Sequence, residues 1–212
     1  MKYHIHTIGC QMNMADSLRL ASELEKLGGA STDEIGEADV AVLNTCVVRQ
    51  SAEDRANGWL QRVGRLKNGD HAGLVVGLMG CLVGVKGNPK LARAFPQVDV
   101  FLPPSDPTAL LNCIADRNQL HVERVAVARR HAAQDGELTL PLAQRGRLVS
   151  AHVPVVYGCS YACAFCIVPF RRGMERSRPV GEIAAETRSL AAQGVREITL
   201  LGQIVDRYGC DV

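Results

Sequence analysis

The sequence contains few aromatic residues, which make up 4% of its 212 positions, and it has no long apolar run. A membrane-crossing helix needs about 20 consecutive apolar residues, so we expect no membrane partner. Ala, Val, Leu and Gly instead dominate the apolar part of the composition. This composition favours α/β layering over an all-β sandwich.

A strong charge of either sign is also absent, because the formal net charge is only +2. That charge is too small to indicate nucleic-acid binding by itself. The positive charge is nevertheless concentrated between residues 144 and 180, where six arginines stand against one glutamate. This basic segment predicts either a solvated face or a footprint for an anionic partner such as RNA. Its arginines are Arg145, Arg147, Arg171, Arg172, Arg176 and Arg178, and its glutamate is Glu175.

No secretory signal is present, since no long apolar stretch follows the first residues, Met1 to His6. We therefore expect a cytoplasmic protein, in which cysteines stay reduced instead of forming disulfides. Clustered cysteines in such a protein indicate metal binding or catalysis.

The densest cysteine cluster has C-x3-C-x2-C spacing and comprises Cys159, Cys163 and Cys166, with no fourth cysteine close behind. Thiolate is a soft ligand that suits iron–sulfur clusters, and ferredoxins hold four irons with four cysteines. Three cysteines therefore leave one iron open to a substrate. A structural zinc site is the alternative, but it needs four ligands. No histidine follows the cluster, and His152 lies in an apolar run that predicts a strand.

Strands and helices alternate over the first hundred residues, which predicts a doubly wound parallel sheet. A linker with a short hairpin is expected over residues 119–150, between an α/β domain at 1–118 and a second unit at 151–212. The second unit has the pattern of one and a half β/α units of a parallel barrel. Predicted strands cover 2–8, 39–45, 73–80, 98–102, 151–156 and 197–201, and predicted helices cover 14–27, 51–66, 106–115 and 179–193, with a loop at 159–173.

A second set of three cysteines consists of Cys10, Cys46 and Cys81, each of which follows a predicted parallel strand. Ligand sites of open α/β sheets gather outside these strand ends, so the three thiols are expected to converge. Gly9 and Gly80 precede two of them, and glycine lets the backbone turn closely around a bulky ligand. The alternative is three buried cysteines that act as small hydrophobes. Cys113 and Cys210 lack any such spacing and are not expected to be ligands.

Together these residues resemble the methylthiotransferases of the radical S-adenosylmethionine (SAM) superfamily, and the resemblance covers essentially the whole chain. The Gln11-Met12 pair is typical of the MiaB-type branch, which acts on tRNA. Ile204 and Asp206 depart from the family, which usually has asparagine at both positions. The matching segments are Gly9-Cys10-Gln11-Met12-Asn13 with Asp16-Ser17, Asn44-Thr45-Cys46-Val47-Val48-Arg49 with Ala52-Glu53, Arg172-Gly173-Met174-Glu175-Arg176-Ser177-Arg178-Pro179, and Leu200-Leu201-Gly202-Gln203 with Tyr208-Gly209.

The resemblance implies two [4Fe–4S] clusters, one held by Cys159, Cys163 and Cys166 and an auxiliary one held by Cys10, Cys46 and Cys81. The open iron of the first would chelate SAM, with Phe165 near its adenine and with Gly202 and Gln203 on the SAM side. The resulting 5′-deoxyadenosyl radical would abstract hydrogen from C2 of N6-isopentenyladenosine next to the tRNA anticodon. Sulfur from the auxiliary cluster and a methyl group from a second SAM would complete the methylthio group.

No catalytic residue beyond the cluster ligands is implied, because the cofactors perform the difficult chemistry. The expected partners are a tRNA anticodon stem-loop and an external electron donor, and the expected state is a monomer. Family members continue through the rest of a barrel and an RNA-binding β-domain, so this chain is expected to be an N-terminal fragment that is inactive alone. The arginines of 171–178 are candidates for phosphate contacts or for closing the SAM site, and Arg178, beside Pro179, is equally a candidate for a helix-start residue.

Other functions remain open. A methylthiotransferase of another branch would act on threonylcarbamoyladenosine in tRNA or on a ribosomal protein. A non-catalytic iron–sulfur scaffold or electron-transfer protein would need no SAM. A dinucleotide-binding module ranks last, because the first strand is not followed by a G-x-G-x-x-G turn.

Overall fold

The computed structural model describes residues 1–48, 50–69, 71–117 and 138–212. It confirms the predicted α/β class, with a five-stranded parallel sheet followed by a smaller β/α unit. The sheet has the order β2-β1-β3-β4-β5. Its strands are β1 (Lys2–Ile8), β2 (Ala30–Ser31), β3 (Val40–Thr45), β4 (Val75–Gly80) and β5 (Val100–Leu102), and its helices are α1 (Gln11–Lys26), α2 (Gln50–Asn68), α3 (Pro89–Ala94) and α4 (Thr108–Arg117).

Helices cover both faces of this sheet, which confirms the doubly wound arrangement. One apolar cluster joins one face to α2 through Ala56, Leu60 and Val63. A second cluster joins the opposite face to α1 and α4 through Leu20 and Leu110. Every residue of β3 and β4 is buried, as expected for central parallel strands that are covered on both sides.

The second unit contains a parallel pair of strands connected by a helix. Strands β6 (Ser150–Pro154) and β9 (Glu197–Leu201) pair in parallel, and α6 (Val180–Ala192) lies between them in the chain. A two-stranded antiparallel sheet of β7 (Val156–Tyr157) and β8 (Arg176–Ser177) flanks the loop that leads to α5 (Val168–Arg172). The core of this unit is formed by Leu138, Leu140, Ala151, Val153, Leu190 and Val195.

The structure contains short elements that the sequence analysis missed. The short strand β2 was not predicted, and helix α5 lies inside the segment predicted as a loop. Helix α3 was also missed, although Asn88 caps it by accepting from the Lys90 amide at 3.1 Å and Pro89 stands at its first position, a typical helix start. Helix α1 begins at Gln11 instead of residue 14, because Cys10 and Asn13 form a capping box there.

The predicted linker lies partly outside the described residues, and the hairpin proposed for it cannot be compared there. Its described end, residues 138–149, packs against both units: Leu138 and Leu140 are buried, and the Leu142 amide donates to Glu25 Oε2 of α1 at 2.9 Å. The boundaries at 118 and 150 therefore remain a proposal. Among the described helices, none has the length and apolar character required to cross a membrane.

Buried ion pairs connect the two units. Glu186 of α6 is fully buried and accepts from Arg19 of α1. Arg178 Nη1 lies 2.7 Å from the same oxygen, Glu186 Oε2. Arg178 also donates to the Pro154 carbonyl at 2.7 Å. Because one carboxylate is shared by a cation from each unit, this contact holds α1 against the start of α6.

Candidate functional site

The cysteines of the second set follow three neighbouring strands at one edge of the sheet. Cys10 caps α1 directly after β1, Cys46 follows β3, and Cys81 follows β4. Strands β1 and β3 are adjacent, and the helices that follow them cover opposite faces. This is the position where the strand order reverses, at which open α/β sheets form their ligand crevices.

The three thiols lie close enough to influence one another electrostatically. Burial raises the pKa of the Cys81 thiol, Arg172 lowers it to a smaller extent, and Cys46 and Cys10 contribute a further small rise. Cys81 is buried, Cys46 is half-buried and Cys10 is exposed. The set therefore runs from the protein interior to the surface, and a ligand bound by all three would remain open to solvent on the Cys10 side.

A buried network of amides holds these loops together. The Asn13 side chain accepts from the Cys10 amide at 3.2 Å and donates to Asn44 Oδ1 and to the Thr45 carbonyl at 2.9 and 3.0 Å. Asn44 in turn donates to the Asn13 carbonyl at 2.8 Å. The Cys81 amide also donates to the Thr45 carbonyl, at 2.9 Å. Asn13 and Asn44 have no solvent exposure, so the network fixes the spacing of the three loops from within.

The glycines beside the cysteines contact this network, which corrects the reason given for them from the sequence. A Cβ on Gly9 would lie 2.4 Å from Asn13 Oδ1, and one on Gly80 would lie 2.5 Å from the Thr45 carbonyl oxygen. Gly80 also has a φ of +102°, which favours glycine. Both residues must be glycine because protein atoms already occupy the space that a Cβ would need.

We expect Gly80→Ala to lower the free energy of unfolding by about 2–3 kcal/mol, because it combines backbone strain with a clash against a rigid carbonyl. Urea unfolding followed by circular dichroism measures this change. Gly36→Ala is the matched control, since a Cβ there meets no atom within 4 Å. Equal stability of the two variants would contradict the proposed packing of the Cys81 loop.

The other cysteine loop closes back on its own end. The Cys159 amide donates to the Gly173 carbonyl at 3.1 Å, and the Cys166 amide donates to the Cys163 carbonyl at 3.0 Å. Gly158 has a φ of +70°, and a Cβ there would lie 2.1 Å from the Met174 carbonyl oxygen. Cys159 is buried, Cys166 is half-buried and Cys163 is exposed, so this loop also presents a solvent-facing opening.

The predicted SAM-side residues lie in two loops of the second unit. Phe165 is 94% exposed, which leaves its ring free to contact a ligand. Gly202 and Gln203 directly follow β9, whose parallel partner β6 precedes the cysteine loop. Adjacent parallel strands end at the same edge, so the two loops share one side of the unit. A Cβ on Gly202 would lie 2.4 Å from Val156 Cγ1, so close packing on β7 by itself requires glycine there.

Arg172, which ends α5, extends from the second unit to the cysteines of the first. Its Nη1 and Nη2 atoms lie 3.4 and 3.5 Å from Asp16 Oδ2 of α1. Ser105, in the loop after β5, donates to Asp16 Oδ1 at 2.7 Å. Burial lowers the pKa of Arg172, but the charges of Asp16, Cys81 and Cys10 outweigh this effect and leave the pKa raised. Arg172 therefore remains a cation beside the thiols.

A cavity of about 390 Å³ lies between the two units next to this arginine. The first unit contributes Val85 and Ser105 to its lining, and the second contributes Tyr157 and Arg176. The Arg176 guanidinium lies over the Tyr157 ring, 5.6 Å from its centroid. The guanidinium covers one face of the ring, and Arg172 and Glu175 also line the cavity, which therefore combines two cations with one carboxylate.

The basic segment is only partly a surface feature, which corrects its interpretation as a single basic face. Arg172 and Arg178 are 8% and 4% exposed, and each pairs with a buried carboxylate. Arg178 also lies 3.7 Å from Glu182 at the start of α6, which favours the helix-start role. Arg145, Arg147 and Arg176 are exposed and remain candidates for contacting an anionic partner.

The donor sets fit iron–sulfur clusters. Each offers three thiols on loops, with one buried member and one exposed member. Within the described ranges, no three His, Cys, Asp or Glu side chains are arranged around a single metal ion. A four-iron cluster distributes three cysteines over three separate irons, so it fits a wider ring of thiols than a single ion does.

Comparison with known proteins finds a match for each unit. Residues 2–103 match the uncharacterized protein family UPF0004, and residues 153–206 match the radical SAM superfamily. A tRNA-2-methylthio-N(6)-dimethylallyladenosine synthase from Roseiflexus sp. (strain RS-1) is 42% identical over all 212 residues, which are 41% of its own length. Over its whole length the chain is similar to MiaB-type methylthiotransferases. Proteins of the same name from Chloroflexus aurantiacus and Dictyoglomus thermophilum are 41% and 38% identical, and the chain covers 42% and 47% of their lengths.

The chain thus spans less than half the length of these curated relatives. The residues that sequence reasoning missed are Asn13, Asn44, Asp16 and Arg172 in their structural roles. All four lie in segments that resemble the family. The resemblance therefore identified their positions but not their contacts.

Proposed function

We propose that this chain forms the cofactor-binding part of an enzyme that methylthiolates C2 of N6-isopentenyladenosine next to the anticodon in tRNA. In this proposal Cys159, Cys163 and Cys166 hold a SAM-binding [4Fe–4S] cluster. An auxiliary [4Fe–4S] cluster is held by Cys10, Cys46 and Cys81. An external electron donor, a cytoplasmic location and a monomeric state complete the proposal.

The observation that carries the proposal is the meeting of three cysteine loops at the strand-order reversal of the first sheet. The loops of Cys10, Cys46 and Cys81 are tied together by buried hydrogen bonds. The alternative, in which the three cysteines are only small hydrophobes, does not account for the exposure of Cys10. The match of relatives along the whole chain supports the same assignment.

When bound, the clusters and SAM would supply a 5′-deoxyadenosyl radical for hydrogen abstraction and a sulfur atom for insertion at C2. The chain's own residues would bind and orient the reactants. Phe165 would contact the adenine of SAM, and the turn at Gly202 and Gln203 would border the same ligand. The cavity between the units would admit the target base beside the Tyr157–Arg176 pair.

No side chain is proposed to remove the C2 hydrogen as a proton, because that C–H bond has no useful acidity. The protein would instead position the nucleotide and exclude water from the radical. The walls that meet at the cavity come from both units, so the fold would bring the base between the two cluster sites.

The test of this function follows one hydrogen atom. Because the chain is expected to be inactive alone, it is joined to the C-terminal remainder of its Roseiflexus relative, reconstituted and reduced. It then receives SAM and an anticodon stem-loop whose N6-isopentenyladenosine is deuterated at C2. We expect 5′-deoxyadenosine to form and to contain deuterium, as measured by mass spectrometry. The matched control is the same stem-loop deuterated at C8, from which no deuterium should move.

The outcomes separate the candidate functions. Absence of 5′-deoxyadenosine would contradict radical SAM chemistry and favour an iron–sulfur scaffold. Formation of 5′-deoxyadenosine without deuterium would contradict abstraction from C2 of this nucleoside. Deuterium transfer from C2-labelled threonylcarbamoyladenosine instead would assign the chain to another branch of the family.

A further inference from the structure

Helix α5, which follows the loop of Cys159, Cys163 and Cys166, packs directly on the loop that follows Cys81. The Val85 amide donates to the Arg171 carbonyl at 3.0 Å. A Cβ on Gly84 would lie 3.4 Å from Arg171 Cδ, and one on Gly173 would lie 3.6 Å from Val85. These contacts anchor the C-terminal end of α5, on either side of Arg172, to the loop that follows Cys81.

Asp16 alone compensates the buried charge of the Arg172 guanidinium poorly, because its hydrogen bonds to that group are long. The side chains of Arg172 and Asp16 are 4% and 0% exposed. A charge-assisted hydrogen bond between such groups is normally about 2.7–2.9 Å long, whereas the two guanidinium nitrogens here lie 3.4 and 3.5 Å from one carboxylate oxygen. A buried cation needs close compensation. The thiols of Cys81 and Cys10 also lie beside it, and their sulfurs would become anionic on binding a cluster.

We propose that Arg172 is a positioning residue for the auxiliary cluster, and that its guanidinium places a fixed positive charge beside the ligands Cys10 and Cys81 to raise the reduction potential of that cluster. This inference rests on the proposed function, because it requires a cluster at Cys10, Cys46 and Cys81. It adds a direct link between the units, since the loop that binds one cluster ends in the residue that tunes the other.

The physical reason is the charge of the bound group. A cluster with thiolate ligands is anionic, and reduction adds one further electron. Net charge and hydrogen bonds near the sulfurs set the potentials of such clusters, and groups that contact the ligands adjust them. A buried guanidinium stabilises the reduced form more than the oxidised form. Asp16 opposes this effect, because its carboxylate partly neutralises Arg172.

The test measures the reduction potential of the auxiliary cluster alone, in the full chain with Cys159, Cys163 and Cys166 replaced by alanine. Electron paramagnetic resonance follows the reduced cluster during a redox titration. We expect Arg172→Gln to lower the reduced-to-oxidised ratio at a fixed potential about tenfold, which is about 59 mV for a one-electron couple. Arg172→Lys should recover most of this loss because it restores the charge.

Asp16→Asn distinguishes electrostatic tuning from a structural role. It removes the ion pair but leaves Arg172 without its neutralising partner, so the potential should rise. A structural role for the pair would make Asp16→Asn and Arg172→Gln change the cluster in the same direction. If Arg172→Gln binds no iron, the direction of the Asp16→Asn shift decides, and a fall or no change overturns the inference.

Two failures are separable in this design. If the cysteine background binds no iron, the auxiliary site is absent and the proposed function fails with the inference. If iron is bound but Arg172→Gln leaves the potential unchanged, the inference alone is overturned. As a control, the same Arg172→Gln change is made with Cys10, Cys46 and Cys81 replaced instead. An equal shift of the remaining cluster there would overturn the assignment of Arg172 to the auxiliary site.

Discussion

Replacing Cys159, Cys163 and Cys166 together with alanine should remove about half of the iron and sulfide from the anaerobically reconstituted protein. The two cysteine sets lie in different units, one on three loops and the other on a single loop, so loss of one four-iron cluster leaves the other set of ligands intact. The complementary replacement of Cys10, Cys46 and Cys81 should remove the other half. Iron and sulfide are counted by colorimetric assay against protein concentration.

The spectrum of the reduced clusters identifies which set binds SAM. Adding SAM should change the electron paramagnetic resonance signal of the variant that keeps Cys159, Cys163 and Cys166. It should leave unchanged the signal of the variant that keeps only the other set. This asymmetry is expected because Phe165 and the turn after β9 lie in the second unit.

The chain provides matched controls for these measurements in its two remaining cysteines. Cys113 is half-buried in α4 and Cys210 is exposed near the last described residue. Replacing both with alanine should leave the iron content unchanged. Loss of all iron from either triple variant, or retention of all of it, would refute two independent cluster sites.

Glu186→Gln should lower the free energy of unfolding by about 3 kcal/mol. Glu186 is fully buried between Arg19 and Arg178, and removing one partner of a buried ion pair costs about 3–5 kcal/mol. The lower end applies because Arg178 keeps the Pro154 carbonyl at 2.7 Å and because Arg19 is 27% exposed in its side chain. The glutamine is similar in shape, so the loss reports charge and not a cavity. Urea unfolding provides the measurement.

Arg188→Ala is the control for this change, because Arg188 lies exposed on the same helix. Surface substitutions of this kind usually change stability by less than about 0.5 kcal/mol. Glu182 pairs with Arg178 at 3.7 Å and is 19% exposed in its side chain, so Glu182→Gln should have an effect between the two. An effect of Glu186→Gln as small as that of Arg188→Ala would show that the inter-unit ion pairs do not stabilise the fold.

Most of the longer strands of both units could be predicted because they carry strong local patterns. Residues 2–8 and 197–201 were predicted with the observed bounds, and the buried runs of β3 and β4 were recognised within two residues. Elements without such patterns were missed. Strand β2 has only two residues, and α5 has five and starts within the loop that follows the cysteines, too few residues for a hydrophobic period to appear.

The ligand residues could be proposed from the sequence because a strand end is a local property. Each cysteine of the second set follows a run whose pattern already predicts a parallel strand, and parallel strands place those ends at one edge. The glycines show the limit of this reasoning. Their position beside cysteine suggested room for a ligand, but the atoms that fill the space belong to Asn13 and Thr45.

The sequence by itself therefore determined the fold class and the resemblance to methylthiotransferases, and it led to the proposal of two cysteine sets. Only the tertiary structure decided which charged side chains are internal. Arg172 and Arg178 are indistinguishable in sequence from their exposed neighbours, yet they are buried against Asp16 and Glu186, which lie 156 residues and 8 residues away in the chain. Burial of an ion pair depends on which elements pack together. Here α1 packs against α5 and α6, which are distant from it in the chain. A local sequence pattern shows the charge of a side chain, but it does not show which carboxylate will pair with that side chain in the folded protein.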